Sequence, residues 1–471
     1  MSTRRTPARP AVLLTAVFAT QFLVSMDMAL LNIALPEISL ALDFPDTLLP
    51  WVVNAYLLTF AGFMLLGGRI GDLWGRRVVL TAGLIGFGLF SLWGGFAQTP
   101  TTLVLARAGQ GISGALLSPA VLALAATGLP DDRLRSRALG LWGAAGAAGG
   151  ALGVVLSGIL TEHLGWRSVL FVNLPIVLVC LVAVRLGVPG SRTEGAAGRL
   201  DVAGALLVTT GVGALAAAVG FAGTDGWGSR PALVGFAAAV VLLAAFVLVE
   251  ARSPHPLMPL GLLRARSIVG ANVFGFLLAA GQLASFYFAS LYVQQVWGVR
   301  PGAAGAMFLP FSVLVVVGIQ LAGRCTARWG ARITLAVFGT VGAASLGWFS
   351  LMTPDGTFLT EVLGPSVLGG IGIGGAMLLV GKVGTAGVAT QDAGAASGVL
   401  NSSRQLGGTI GLAVLVTIAA QVTTEHGGST AEALGAGYTA GFAVAAGLLL
   451  LGVVAVLAIV PRTVATASTP A

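Results

Sequence analysis

Charge is scarce in this 471-residue chain, with 9% of residues being Asp, Glu, Lys or Arg and 56% hydrophobic. Soluble proteins carry roughly 25% charged residues, so a water-soluble enzyme is excluded. Cysteine is almost absent. Cys180 and Cys325 stand far apart, and His163, His255 and His426 are scattered, so no spacing suits a zinc, haem or disulfide framework. Lysine is missing but for Lys382, beside 24 arginines and 69 glycines, a bias that points to a bacterial genome of high G+C content. The surplus of 25 basic over 17 acidic residues gives a net charge of +8. It lies mostly between apolar runs, which makes it a signal of membrane topology and gives no reason to expect nucleic acid.

What the chain has instead is apolar length. Stretches lie at about 11–36, 47–67, 78–98, 101–129, 138–160, 168–188 and 201–222, then at about 231–250, 268–296, 303–322, 333–352, 361–388, 405–422 and 436–460. A helix needs ~20 residues to cross the hydrocarbon core, so fourteen spans are expected, in an all-α polytopic membrane protein. The first run is too long for a cleaved leader and reads as the first span. Arginine sets the orientation. Arg4/Arg5/Arg9, Arg69/Arg76/Arg77, Arg133/Arg135/Arg137, Arg185/Arg192/Arg199, Arg252/Arg264/Arg266 and Arg324/Arg328/Arg332 fall in alternate connecting segments, against Arg167, Arg230 and Arg300 in the others. By the positive-inside rule the rich side is cytoplasmic, and both termini with it.

An internal repeat gives the architecture. Gly68, Arg69, Trp74, Gly75, Arg77 and Leu80 recur 255 residues later as Gly323, Arg324, Trp329, Gly330, Arg332 and Leu335. The third span thus matches the eleventh, and the first matches the ninth. Two six-helix bundles are expected, over 1–190 and 263–471, with spans seven and eight in a linker over 191–262. Parallel repeats of this kind suit an alternating-access carrier with its site between the halves.

Two charges fall inside spans: Asp27 in the first and Arg107 in the fourth. A carboxylate at that depth costs ~2.5–3.5 kcal/mol. The functional reading is a proton-binding group, and the plainer one is an ion pair with Arg107 that holds helices together. The position 255 residues beyond Asp27 is Gln282, so a proton site is expected in one half only. Between spans two and three, Gly68-Arg69-Ile70-Gly71-Asp72-Leu73-Trp74-Gly75-Arg76-Arg77 combines residues for a tight reversal with interfacial charge. In the fourth span Arg107, Gln110, Gly111 and Gly114 share a helical side. The fifth span, Gly143 to Gly158, offers small-xxx-small registers at Gly146/Gly150 and Gly149/Gly153. Asn32, Tyr56, Phe60, Phe63, Gln282, Phe286 and Tyr287 are candidates for an aromatic pocket with hydrogen-bond groups, or for ordinary packing.

Taken together these pieces resemble the major facilitator superfamily, and within it the fourteen-span drug:proton antiporter family. Asp27 followed by Asn32-Ile33-Ala34-Leu35-Pro36 is similar to the family's first-span signature. Residues 68–77 resemble the cytoplasmic loop motif, and residues 103–115 the Arg-Gln-Gly motif of the fourth helix. Gly165-Trp166-Arg167 and Phe171-Val172-Asn173-Leu174-Pro175 fit the family around its sixth helix. The resemblance implies proton coupling through Asp27 and Arg107, and a cytoplasmic gate built on Gly68, Asp72, Gly75, Arg76 and Arg77. It implies no cofactor beyond the proton gradient. Two positions depart from the pattern. Ala29 stands where the family usually has Thr, and Gly153-Val154-Val155-Leu156-Ser157-Gly158 lacks the proline of the fifth-helix antiporter motif, to which Gly149, Gly150, Gly153 and Gly158 otherwise belong.

The expected function is export of lipophilic neutral or monocationic drugs in exchange for protons, by a monomer in the bacterial plasma membrane. A proton-independent metabolite exporter or facilitator of the same fold is the alternative. A membrane prenyltransferase is disfavoured, because Asp131-Asp132-Arg133-Leu134-Arg135 lacks the further acid that magnesium diphosphate needs.

Overall fold

A computed structural model describes residues 10–45, 48–129, 131–188, 201–253, 261, 264–386, 393–427 and 430–462. Among these residues all regular structure is helical, as a lipid environment requires of a chain that does not close a β-barrel. Spans one to five are α1 (Pro10–Leu42), α2 (Trp51–Trp74), α3 (Arg76–Gly95), α4 (Pro100–Thr127) and α5 (Asp132–Leu164). The sixth span is broken into α6 (Ser168–Phe171) and α7 (Asn173–Gly187), and α8 (Val202–Asp225) and α9 (Arg230–Arg252) follow.

The ninth span is α10 (Arg266–Leu291), which continues into a π-helical segment, Tyr292–Val296. After the short α11 (Pro301–Met307), α12 (Leu309–Phe349) holds most of spans ten and eleven, folded at Gly330, whose φ of 74° and ψ of 160° suit glycine alone. A second π-helical segment (Phe358–Leu363), α13 (Gly364–Gly384), α14 (Ala393–Glu425) and α15 (Ala431–Ile459) complete the chain. Eleven helical runs among the described residues are long and apolar enough to cross a membrane. The run Pro301–Phe349 contains two of the expected spans, and Trp51–Met64 and Ala203–Val219 are shorter apolar helices. The fourteen expected spans are therefore all occupied by helix.

Local chemistry starts several of them. Thr99 accepts from the Thr102 amide ahead of α4, Asp131 from Arg133 ahead of α5, and Thr430 from Ala433 ahead of α15. α1 packs on α5 and α7, α2 on α4, and α3 on α4 and α7; in the later half α10 packs on α14 and α15, and α12 on α13 and α15. The pair α8 and α9 leans on both halves, with α8 against α2 and α14.

The repeat persists in three dimensions. Gly75 (φ 90°) separates α2 from α3 as Gly330 (φ 74°) folds α12. Arg77 donates to the Arg185 carbonyl at the end of the sixth span (3.0 Å), and Arg332 donates to the Leu457 carbonyl at the end of the fourteenth. Six residues beyond that register, Gly109-Gln110-Gly111-Ile112-Ser113-Gly114-Ala115 of α4 resembles Gly370-Ile371-Gly372-Ile373-Gly374-Gly375-Ala376 of α13.

The halves meet on the side away from the arginine-rich segments. Ser290 Oγ donates to the Asn32 carbonyl (2.8 Å), Gln294 Nε2 to the Ile33 carbonyl (3.2 Å), and the Gly302 amide to Glu162 Oε2 (2.9 Å). Pro36 explains the first bond. It has no N–H, so the Asn32 carbonyl four residues earlier loses its partner within α1 and is open to a donor from the other bundle.

Candidate functional site

Asp27 sits midway along α1 and is 1% exposed, and Arg107 of α4 is 2% exposed. Arg107 Nη1 donates to Asp27 Oδ2 at 2.7 Å and to Gln110 Oε1 at 2.7 Å. Asp27 Oδ1 accepts from Asn173 Nδ2 (2.7 Å) and from Gln110 Nε2 (3.3 Å), and Gln110 Nε2 also reaches Ser91 Oγ (2.7 Å). Arg107 Nε donates to the Val52 carbonyl of α2 (3.1 Å), and its guanidinium lies 4.4 Å from the centre of the Tyr56 ring. One buried charge pair thus draws on five spans.

The local folding explains the convergence. Arg107 and Gln110, three residues apart, share one face of α4. Asn173 is presented by the break in the sixth span, where it opens α7 just before Pro175. Close helix contact does the rest. A Cβ on Gly111 would stand 2.3 Å from the Tyr56 carbonyl, so α4 and α2 approach in a way that larger residues forbid.

Such a network can hold two charges out of water only while each is matched, since removal of one partner of a buried pair typically costs ~3–5 kcal/mol. A proton placed on Asp27 would cancel the charge that holds Arg107 and leave the guanidinium seeking another acceptor. The arrangement ties several helices together through one buried charge pair.

The other expected residues fall into groups. Gly149 and Gly153 pack on α1, where added Cβ atoms would lie 2.7 Å from the Phe22 carbonyl and 2.8 Å from the Met26 carbonyl; Gly150 faces open space. Of the two possible registers the helix uses 149/153. Gly158 crosses between halves, with a built Cβ 2.5 Å from the Pro301 carbonyl of α11. Ser157 donates to the Leu30 carbonyl, tying α5 to α1 close to Asp27. In the reversal after the second span, Gly68 lies in ordinary contact with Pro119, and Arg76 donates to the Ala123 carbonyl of α4 (3.0 Å). The Asp72 side chain is outside the described residues.

Of the pocket candidates, Gln282 and Phe286 line a narrow cleft in the later bundle, together with Ser285, Phe311, Phe349 and Ser366. Tyr287 does not line it: it is buried edge-on against Phe288. Tyr56 and Phe60 do not line it either. They are buried and stacked with centroids 5.7 Å apart, Tyr56 beneath Arg107 and Phe60 against Gly114, and so form packing under the charge pair. Asn32 contributes its carbonyl to the contact between halves. Asn173 and Ser91 complete the network without having been singled out as site residues, although Asn173 lies inside a quoted motif. Among the described residues no group of three or more His, Cys, Asp or Glu is placed to hold a metal.

Comparison with known proteins identifies the family. Residues 17–412 match the Major Facilitator Superfamily. The chain is 40% identical to the cephamycin export protein CmcT of Amycolatopsis lactamdurans, over 91% of this chain and 88% of that one. It is 39% identical to the puromycin resistance protein pur8 of Streptomyces alboniger, over 93% and 89%. Among solved structures, the POT family transporter PepTSo superposes with a TM-score of 0.68 over 96% of this chain and 99% of that one, at 16% identity, a likeness of fold alone. The chain belongs to the Major Facilitator Superfamily and is a multi-pass membrane transporter, grouped by sequence with its fourteen-span antibiotic resistance and export proteins.

Proposed function

We propose that this transporter exports lipophilic, antibiotic-like compounds from the cytoplasm in exchange for protons, with Asp27 as the group that takes up and releases the proton. The observation that carries the proposal is the mid-span carboxylate of Asp27, held at 2.7 Å by Arg107 and at 2.7 Å by Asn173. A clamp on several helices that depends on one charge is a means of linking protonation to helix movement. The names of the cephamycin and puromycin relatives support antibiotic export as the direction and class of transport. The arginine-rich segments and both termini are assigned to the cytoplasm, and the contacts at Ser290, Gln294 and Glu162 then close the outer side. On energy, one charge crossing 100 mV is worth ~2.3 kcal/mol, enough for roughly a fortyfold cargo gradient.

Everted vesicles test the assignment. Asp27→Asn is expected to abolish cargo uptake driven by a pH gradient while the protein still folds and inserts; a variant that stays fully coupled removes Asp27 from the proton path. A proton-independent facilitator is the competing reading, favoured by how completely Arg107, Gln110 and Asn173 occupy the Asp27 oxygens. Proton release on adding cargo to the purified protein in weak buffer supports antiport, and its absence supports the facilitator.

A further inference from the structure

Among the described residues Arg404 has no counter-ion. It belongs to Asn401-Ser402-Ser403-Arg404-Gln405, five polar residues near the arginine-rich end of α14, inside the apolar run Val399–Glu425. Its stem turns into the bundle, where Cγ lies 3.1 Å from the position of a Cβ on Gly275 of α10, beside Val380 of α13. Its Nε is buried without a hydrogen-bond partner, and the ion pair described in the protein is Asp27–Arg107. Two neighbouring groups are unsatisfied as well, Ser402 Oγ and Asn272 Oδ1. Asn272 is kept at this level by the bond from Ser403 Oγ to its carbonyl (2.9 Å). The earlier bundle balances its buried cation with Asp27, whereas among the described residues of the later one no acid pairs with Arg404.

The helix that Arg404 packs against leads to the aromatic cleft. Gly275, Gln282 and Phe286 are spaced by seven and four residues, which places them on one face of α10. At ~1.5 Å per residue the cleft begins about 10 Å from Gly275 and reaches Phe286 at about 16 Å. A molecule with an anionic end and an aromatic body of that length would meet both. Snorkelling of the arginine to a lipid phosphate is the ordinary alternative, but the stem points toward α10 and α13.

We propose that Arg404 binds the carboxylate of the exported compound, whose aromatic part extends along α10 into the cleft at Gln282 and Phe286. This rests on the export reading above and narrows its cargo to amphipathic aromatic carboxylates, a class that the neutral or monocationic expectation leaves out.

The test is a binding titration, independent of transport, on the full chain in lipid nanodiscs, with dansyl-phenylalanine and its methyl ester as fluorescent probes. The wild-type protein is expected to bind the carboxylate at least tenfold more tightly than the ester. Arg404→Gln should erase that preference with ester affinity unchanged, Arg404→Lys should keep part of it, and Phe286→Ala should weaken both probes. The proposal is overturned if the wild type shows no preference, or if the preference survives Arg404→Gln. It is also overturned if Arg404→Gln strips a co-purified anionic lipid and leaves probe selectivity intact. Should Arg404→Gln not fold, the wild-type comparison and Arg404→Lys still decide. Selective binding without vesicle transport would defeat the export reading alone.

Discussion

Asp27 takes donors from Arg107, Gln110 and Asn173, so its two oxygens are shared between α4 and α7. This makes the cost of a substitution depend on which partner survives. Arg107→Leu leaves a buried carboxylate without its cation and is expected to cost ~3–5 kcal/mol of stability. The double variant Arg107→Leu with Asp27→Asn should recover much of that, because nothing charged is stranded. Thermal melts of the single and double variants in detergent measure the difference. Asn173→Leu removes one neutral donor and should cost about 1–3 kcal/mol, with altered proton release on cargo binding as its functional sign. Asp27 and Arg107 were legible in the sequence because charge inside a span is rare, and Gln110 because it lies three residues from Arg107. Ser91 and Asn173 were not, since hydroxyl and amide side chains are ordinary in membrane helices and only the meeting of α3, α4 and α7 gives them a role. Helical spacing gives Tyr56 and Phe60 a shared face without saying what that face touches.

At the scale of elements, α5 against α11, α2 against α14 and α1 against α10 carry the contact between halves. Pro36 was visible as the end of a motif, but the donor that takes up the carbonyl it frees is Ser290, 258 residues away, which no local pattern specifies. Ser290→Ala combined with Gln294→Ala is expected to loosen closure on this side, increasing thiol labelling of a cysteine introduced along the seam. Gly158→Leu should act more strongly, because its side chain would enter the space of the Pro301 carbonyl. Its signature is a shift of the labelling pattern toward the opposite side of the protein. The missing fifth-helix proline also finds a structural setting. The Val154 carbonyl lies 2.8 Å from a Cβ built on Gly305, so close approach here comes from glycines on both helices, with Ser157 adding a bond to α1.

Over the whole molecule, the two bundles share a frame and differ in what fills it. The 255-residue repeat was read from glycine, arginine, tryptophan and leucine, and it places left-handed glycines at both reversals and arginine bonds on the sixth and fourteenth spans. Gly75→Ala and Gly330→Ala should therefore cost similar amounts, about 1–3 kcal/mol each, as paired melts would reveal; a large inequality would argue against equivalent roles. The span count was legible because lipid imposes length and composition together. The break before Asn173 was not, since a single turn leaves no mark on hydropathy. Where the earlier bundle places Asp27, the later has Gln282 beside a cleft. The sealed seam has a final consequence. When the bundles part there, the Asn32 carbonyl leaves Ser290 with no amide of α1 to receive it, and incoming solvent takes that place. Opening outward is thus a hydration step, and osmotic stress from an excluded solute such as sucrose should slow cycling in proportion to the water that must enter.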